Sequence, residues 1–272
     1  MVSSSRWVGR SVSRCEPASS PALAFTDVSA VRAGRLIWSH ANFTVPAGGV
    51  VAVIGPNGAG KTTLLHMVLG LIPAASGCLE VFGRRPGQAN DTIGYVPQDY
   101  AASGGEAIRA VDAVLLGLTG RRWAFSRSTA AQRRQVGQAL AVVEASGLAD
   151  LRLSTLSGGQ RQRIAIAAAL VAQPELLILD EPLASLDLRS QHDIVELLGR
   201  LHAELGVTIL MVAHDLNPLL PVLDSAIYLL DGQPRYASLD DVVDAALLTQ
   251  LYGTPIQVMH PPNGKPYMRS AL

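Results

Sequence analysis

The sequence predicts an α/β protein with a mainly parallel sheet flanked by helices, interrupted by a helical insertion. Three observations lead there. Apolar runs of strand length recur with helical stretches between them, at Val50 to Ile54, Leu176 to Leu179, Thr208 to Ala213 and Ala226 to Leu230. The first of these runs feeds a glycine-rich loop that opens a helix beginning near Leu64-Leu65. From about Ala107 to Leu151 the strand signal lapses, and Val111, Val114, Leu115 and Leu118 fall at helix spacing.

Taken in chain order, Leu23 to Val31 and Ile37 to Val45 read as strands around a turn at Ala33-Gly34. Pro46-Ala47-Gly48-Gly49 is a second turn, and the Val50 strand follows it. Leu79 to Phe82 reads as a strand closed by Gly83, and Ile93 to Val96 as another. Inside the insertion a helix over Thr129 to Ser146 carries Val136, Leu140 and Val143 on one face, with Arg133 and Arg134 on another. Gly147 is its expected C-cap. A long helix over Arg161 to Ala172 precedes the Leu176 strand, and strand–helix alternation resumes from there. No internal repeat is present.

Bulk properties narrow the class. The 272 residues suffice for one large domain or two small ones, and 49% apolar content is ample for a core. Acidic and basic residues balance at 22 each, so no global field draws the chain to nucleic acid or anionic lipid. Cys15 and Cys78 form no CxxC pair, which points to a reducing compartment without a disulfide framework or zinc site. The longest apolar run, Ile164 to Ala172, is less than half the roughly 18 to 20 residues that cross a bilayer. Residues 1–22 are serine-rich, with Arg6, Arg10 and Arg14 and a single acid, Glu16. That composition suits a disordered tail, with an organelle-import peptide as the alternative.

Chemistry concentrates in a few segments. Gly55-Pro56-Asn57-Gly58-Ala59-Gly60-Lys61-Thr62, followed by Thr63, is a complete phosphate-binding loop in its strand–loop–helix context. Gly55, Gly58 and Gly60 let backbone amides approach phosphate oxygens, and the helix dipole adds positive potential. Lys61 brings a full charge to the β- and γ-phosphates, and the Thr62 hydroxyl suits Mg²⁺. The Leu176 strand ends in Asp180-Glu181, where Asp180 is placed to hold Mg²⁺ and Glu181 to orient or deprotonate a water. Ser157-Gly158-Gly159-Gln160 makes a second anion-binding helix start and also satisfies the capping-box pattern.

These segments, in this order, resemble the ATP-binding subunit of an ABC transporter over residues 23–260. The resemblance implies a P-loop NTPase core with a mainly parallel sheet, an N-terminal antiparallel β subdomain and a helical subdomain inserted at about residues 99–155. Residues 261–272 would form a C-terminal tail. Gln98 after Tyr95-Val96-Pro97 is similar to the Q-loop glutamine that contacts Mg²⁺ or the attacking water. Asp187 in Ser185-Leu186-Asp187 matches the D-loop, and His214 the switch histidine near the γ-phosphate. The family pattern implies a homodimer with two ATP molecules in its seam. Each would lie between one subunit's phosphate loop and the other's Ser157-Gly158-Gly159 turn.

Two features depart from the family. Ala30-Val31-Arg32-Ala33-Gly34 lacks the usual adenine-stacking aromatic, for which the Arg32 guanidinium is the substitute on offer. Ala168 stands where relatives often carry arginine. The family implies a separate membrane permease contacting the helical subdomain and the groove beside Gln98. An extracytoplasmic binding protein would act indirectly, and the chain would work at the cytoplasmic face of the membrane. His214-Asp215-Leu216-Asn217-Pro218, Val114 to Gly117 and the tail Leu248 to Val258 resemble subunits serving zinc or manganese uptake. A soluble ABC ATPase of the cofactor-assembly type, or one serving another solute, stays open as the alternative.

Overall fold

The computed structural model describes residues 20–98, 100, 107–120, 128–259 and 267–270. The tail over residues 1–22 lies outside them except for its last three residues, and so does most of 261–272. At the N-terminal end β1 (Leu23–Arg32) and β2 (Arg35–Val45) pair antiparallel. Their turn is Ala33-Gly34, both at positive φ (50° and 76°), the backbone hand that matches strand twist in a two-residue hairpin. After β3 (Val50–Ile54) and the helix α1 (Lys61–Val68), β4 (Ser76–Val81) joins the free side of β1. The small sheet therefore runs β2-β1-β4. β4 lies three residues ahead of its expected start, and Phe82 turns at φ 48° instead of continuing it.

The main sheet is built by β3 with β5 (Ile93–Val96), β6 (Leu176–Asp180), β7 (Thr208–Val212), β8 (Ser225–Leu230) and β9 (Gln233–Ser238). Its order is β5-β6-β7-β3-β8-β9, parallel throughout until β9, which returns antiparallel through Asp231-Gly232. Both faces are covered, which is why these strands are apolar without alternation. On β3 the residues Val50, Ala52 and Ile54 enter one core, and Val51 and Val53 enter the other. The second core lies under the small sheet and α1, with Phe25, Trp38, Leu64 and Leu65. The first lies under the remaining helices.

Those helices are α2 (Ala110–Thr119), α3 (Ala130–Val142), α4 (Gly158–Leu170), α5 (Leu188–Leu205), α6 (Leu239–Val242) and α7 (Ala245–Tyr252). Residues 121–127 of the expected insertion lie outside the described residues. Val114 is fully buried, as helix spacing required, and Val136, Leu140 and Val143 line the same core.

The expected end of the second inserted helix is corrected. α3 stops at Val142, and Gly147 belongs to a separate 3-10 turn. Glu144 takes the left-handed residue instead (φ 57°): Ala145 N–H donates to Leu140 C=O and Glu144 N–H to Ala141 C=O. This is a Schellman ending with its apolar contact supplied by buried Ala145 and Leu140. The Glu144 carboxylate meets Arg163 of α4 at 3.1 Å and Arg200 of α5 at 2.7 Å.

α4 also starts three residues before Arg161, placing Gly158, Gly159 and Gln160 in its first turn. Beyond α7 lies a short hairpin of β10 (Ile256–Met259) with β11 (Tyr267–Ser270). Among the described residues no helix is long and apolar enough to cross a membrane.

Candidate active site

Strand order decides which residues meet. Val212 pairs with Asp180 on one side and with Val53 on the other. The residues just past each strand, Glu181, His214 and Gly55, therefore emerge at one edge, the carboxyl end of the parallel sheet. In open α/β sheets that edge is where ligands bind.

The loop between β3 and α1 wraps a concave surface. Ala59 N–H closes a turn on Pro56 C=O at 3.1 Å. Gly60 caps α1 at φ 97° with no side-chain hydrogen bond, leaving the first amides of the helix available. A Cβ at Gly60 would stand 2.4 Å from Ile37 Cγ2 and 2.9 Å from Trp38 Cδ1, so this position admits glycine alone. Lys61 is almost fully buried, and its Nζ donates to Gly55 O at 2.7 Å and Pro56 O at 3.1 Å. Burial pushes its pKa below the usual lysine value, against the opposing pull of Glu181 and Asp180. Asn57, Gly58, Gly60, Lys61, Thr62 and Thr63 line an open cleft of about 290 Å³, shared with Glu181, His214, Arg32 and Ile37. Arg32 is thus at the mouth of the cleft, where the sequence offered it as a base-stacking group.

Asp180 ends β6, is 5% exposed, and its Oδ1 is buried with no hydrogen-bond partner. Burial raises its pKa above the ordinary carboxylate range and Glu181 adds to this, while His66, His214 and Lys61 pull it back. Glu181 sits in the left-handed region at φ 51°, a strained conformation for a residue with a side chain. Both its carboxylate oxygens are engaged: Gln98 Nε2 donates to Oε2 at 2.8 Å, and His214 Nε2 bonds Oε1. Gln98, Glu181 and His214 thus form one hydrogen-bonded cluster beside the lysine.

Ser157, Gly158, Gly159 and Gln160 do not line this cleft. The Ser157 hydroxyl accepts from Gln160 N–H at 3.3 Å, and Gln160 Oε1 accepts from Ser157 N–H at 2.9 Å, a full capping box. The turn packs on the chain's own α5 start: a Cβ at Gly159 would lie 2.8 Å from Ser190 Oγ, and one at Gly158 3.1 Å from Leu186 Cδ2. Asp187 caps α5 by accepting from Ser190 N–H at 2.7 Å, and that hydrogen bond holds its carboxyl below the usual range. Within one subunit, then, the helix start at Ser157 is exposed and stands apart from the Lys61 cleft. Two participants escaped sequence reading. His66, one turn into α1, acts on Asp180, and Trp38 lies beneath Gly60 with its indole N–H unpartnered. Neither belongs to a motif, so no sequence signal marked them.

The family described as ABC transporter matches residues 38–184. A "Probable metal transport system ATP-binding protein" of Chlamydia trachomatis is 33% identical over 220 residues, 81% of this chain and 85% of that protein. The manganese transport system ATP-binding protein MntB of Bacillus subtilis is 39% identical over 173 residues, 64% of this chain and 69% of that protein. The sulfate/thiosulfate import ATP-binding protein CysA of Mycobacterium tuberculosis is 39% identical over 210 residues, covering 76% of this chain and 58% of that protein. Among solved structures, one described as an inward-facing ABC transporter of the metal-chelate type superposes with a TM-score of 0.82 at 27% identity. It spans 93% of this chain and 98% of that one.

Proposed function

Because the chain belongs to the ABC transporter family and is an ATP-hydrolysing, ATP-binding subunit of it, we propose that it powers import of a divalent metal ion, zinc or manganese, through a separate membrane permease. The observation that carries the hydrolytic part is the Gln98–Glu181–His214 cluster at the rim of the Lys61 cleft. The cargo part rests on the relatives named for metal transport and on the metal-chelate type structure.

In this reading the triphosphate lies along the β3–α1 loop, with the β- and γ-phosphates against the Lys61 ammonium and the first amides of α1. Lys61 then exchanges its bonds to Gly55 and Pro56 carbonyls for phosphate oxygens. Mg²⁺ suits the hard-oxygen set of Thr62, Gln98 and Asp180, and the orphaned Asp180 Oδ1 is the feature that calls for it. When bound, it neutralises the charge that builds up on the triphosphate. Glu181, held at both oxygens, must release one to a water. It then takes the proton as the water oxygen bonds to the γ-phosphorus and the bond to ADP breaks. His214 stays on the other oxygen and fixes the carboxylate's direction. Ser157, Gly158 and Gly159 of a second copy complete the site, Asp187 lies along the seam, and the permease contacts the helical insertion and the groove beside Gln98. On this reading the chain works at the cytoplasmic face of the membrane.

Relatives named for sulfate import match at comparable identity, which supplies a second reading with an oxyanion as cargo. Isolation of the membrane complex with its permease and binding protein separates the two. ATPase stimulation by zinc or manganese and not by sulfate is the expected result; stimulation by sulfate alone overturns the metal assignment.

A further inference from the structure

The loop carrying His214 is held by two separate sets of contacts. On the sheet side, Ala213 N–H donates to Val53 O at 3.2 Å and His214 reaches Glu181. On the opposite side, the Asn217 side chain bonds the backbone of Met268, 51 positions further along the chain. Asn217 Nδ2 donates to Met268 C=O at 2.9 Å, and Asn217 Oδ1 accepts from Met268 N–H at 2.7 Å. The amide orientation is chemically unambiguous, since a flip would set donor against donor and acceptor against acceptor.

The amide therefore behaves as one rung of an added strand on β11. Met268 is 8% exposed and belongs to the same core cluster as Leu216, Leu248 and Leu251. Asn217 is itself pinned to the switch segment, because its N–H donates to Asp215 Oδ1 at 2.9 Å. The hairpin is tied back in turn: β10 pairs with β11 through Val258 and Met268, and Ile256 N–H donates to Thr249 Oγ1 of α7 at 3.0 Å. A continuous chain of bonds thus runs from α7 through the hairpin and Asn217 to the residues flanking His214.

We propose that Asn217 is a positioning residue for ATP hydrolysis, clamping the C-terminal hairpin onto the switch loop so that His214 is held on Glu181. This rests on the Glu181–His214 reading of the site. A general base aimed through a hydrogen-bonded partner loses rate when that partner drifts, while phosphate binding at Lys61, on a different loop, does not. The hairpin consequently sets turnover rather than affinity.

The test uses the full-length chain with Asn217→Ala and Asn217→Asp. The aspartate keeps the size and the acceptor for Met268 N–H, and it sets an oxygen against Met268 C=O. It decides the matter should the alanine variant fail to fold. Both variants are expected to lower kcat roughly tenfold with KM for ATP unchanged, and to speed amide exchange at Met268. Faster exchange at Met268 with kcat unaltered overturns the proposal, and so does a parallel loss of kcat and nucleotide affinity. Glu181→Gln in the same assay separates the two levels: normal turnover there removes the hydrolytic reading itself, whatever the Asn217 variants do.

Discussion

Asp180 shows at the level of one side chain how a site is held at the expense of the free protein's stability. Its carboxyl is buried, lacks a partner on Oδ1, and has its pKa raised first by burial and then by Glu181. A carboxyl whose folded pKa exceeds its unfolded one favours folding at pH below the unfolded value. That contribution is lost as pH rises through the folded value. Above the unfolded value, ionisation of Asp180 favours the unfolded chain, so the buried carboxyl is a net burden on the nucleotide-free protein. Asp180→Asn should melt higher than the parent at pH 7 without nucleotide, and the gap should close as pH falls below the ordinary aspartate value of about 3.9. Mg²⁺ with ATP should raise the melting temperature of the parent and leave the variant almost unmoved. A nucleotide-free variant that melts lower than the parent at pH 7 would contradict this account. The motif residues were legible in the sequence at this scale because each is a short contiguous string. The charge environment of Asp180 was not, since His66 and Lys61 reach it from another element.

Packing of the helical insertion depends on one close approach between helices. A Cβ at Gly117 of α2 would stand 2.1 Å from Ala168 O and 2.9 Å from Val171 Cγ1 on and beside α4. The two helices can lie this near only because position 117 has no side chain. Gly117→Ala should separate them and destabilise the protein by about 1–3 kcal/mol in denaturant unfolding, despite the better helix propensity of alanine. A variant as stable as the parent would mean that the backbone relaxes without penalty. Element boundaries show the limits of local reading most clearly. The spacing of apolar residues located α2 and α3, yet glycine preference misplaced the end of α3. Its left-handed residue is Glu144, whose carboxylate pairs with arginines of two other helices. The short β9 to β11 and α6 carried too little apolar pattern to be separated from loop.

The exposed Ser157 turn, proposed above as a second phosphate contact, lies outside its own subunit's Lys61 cleft. On the proposed function, triphosphate bridges the Lys61 loop of one copy and the Ser157 turn of another. Glu181→Gln with ATP and Mg²⁺ is expected to run as a dimer in light scattering, with turnover reduced by about a hundredfold or more. A preparation that stays monomeric with ATP bound, even alongside its permease, would rule out the shared site. The balanced charge suits such a switch, because no net field from either copy opposes their approach.

The α/β class, the phosphate loop, the Asp180-Glu181 pair at the end of β6 and the capped Ser157 turn were all legible in the order of residues. All of these follow from short-range steric and hydrogen-bonding rules acting within about a dozen residues. Tertiary structure alone decided that Gln98 and His214 share Glu181 across separations of 83 and 33 positions. It likewise decided that Trp38 lies beneath Gly60 and that the C-terminal hairpin grips the switch loop through Asn217. Those pairings depend on strand order and on the packing of a sheet buried on both faces, and no local pattern encodes which strand end will face which.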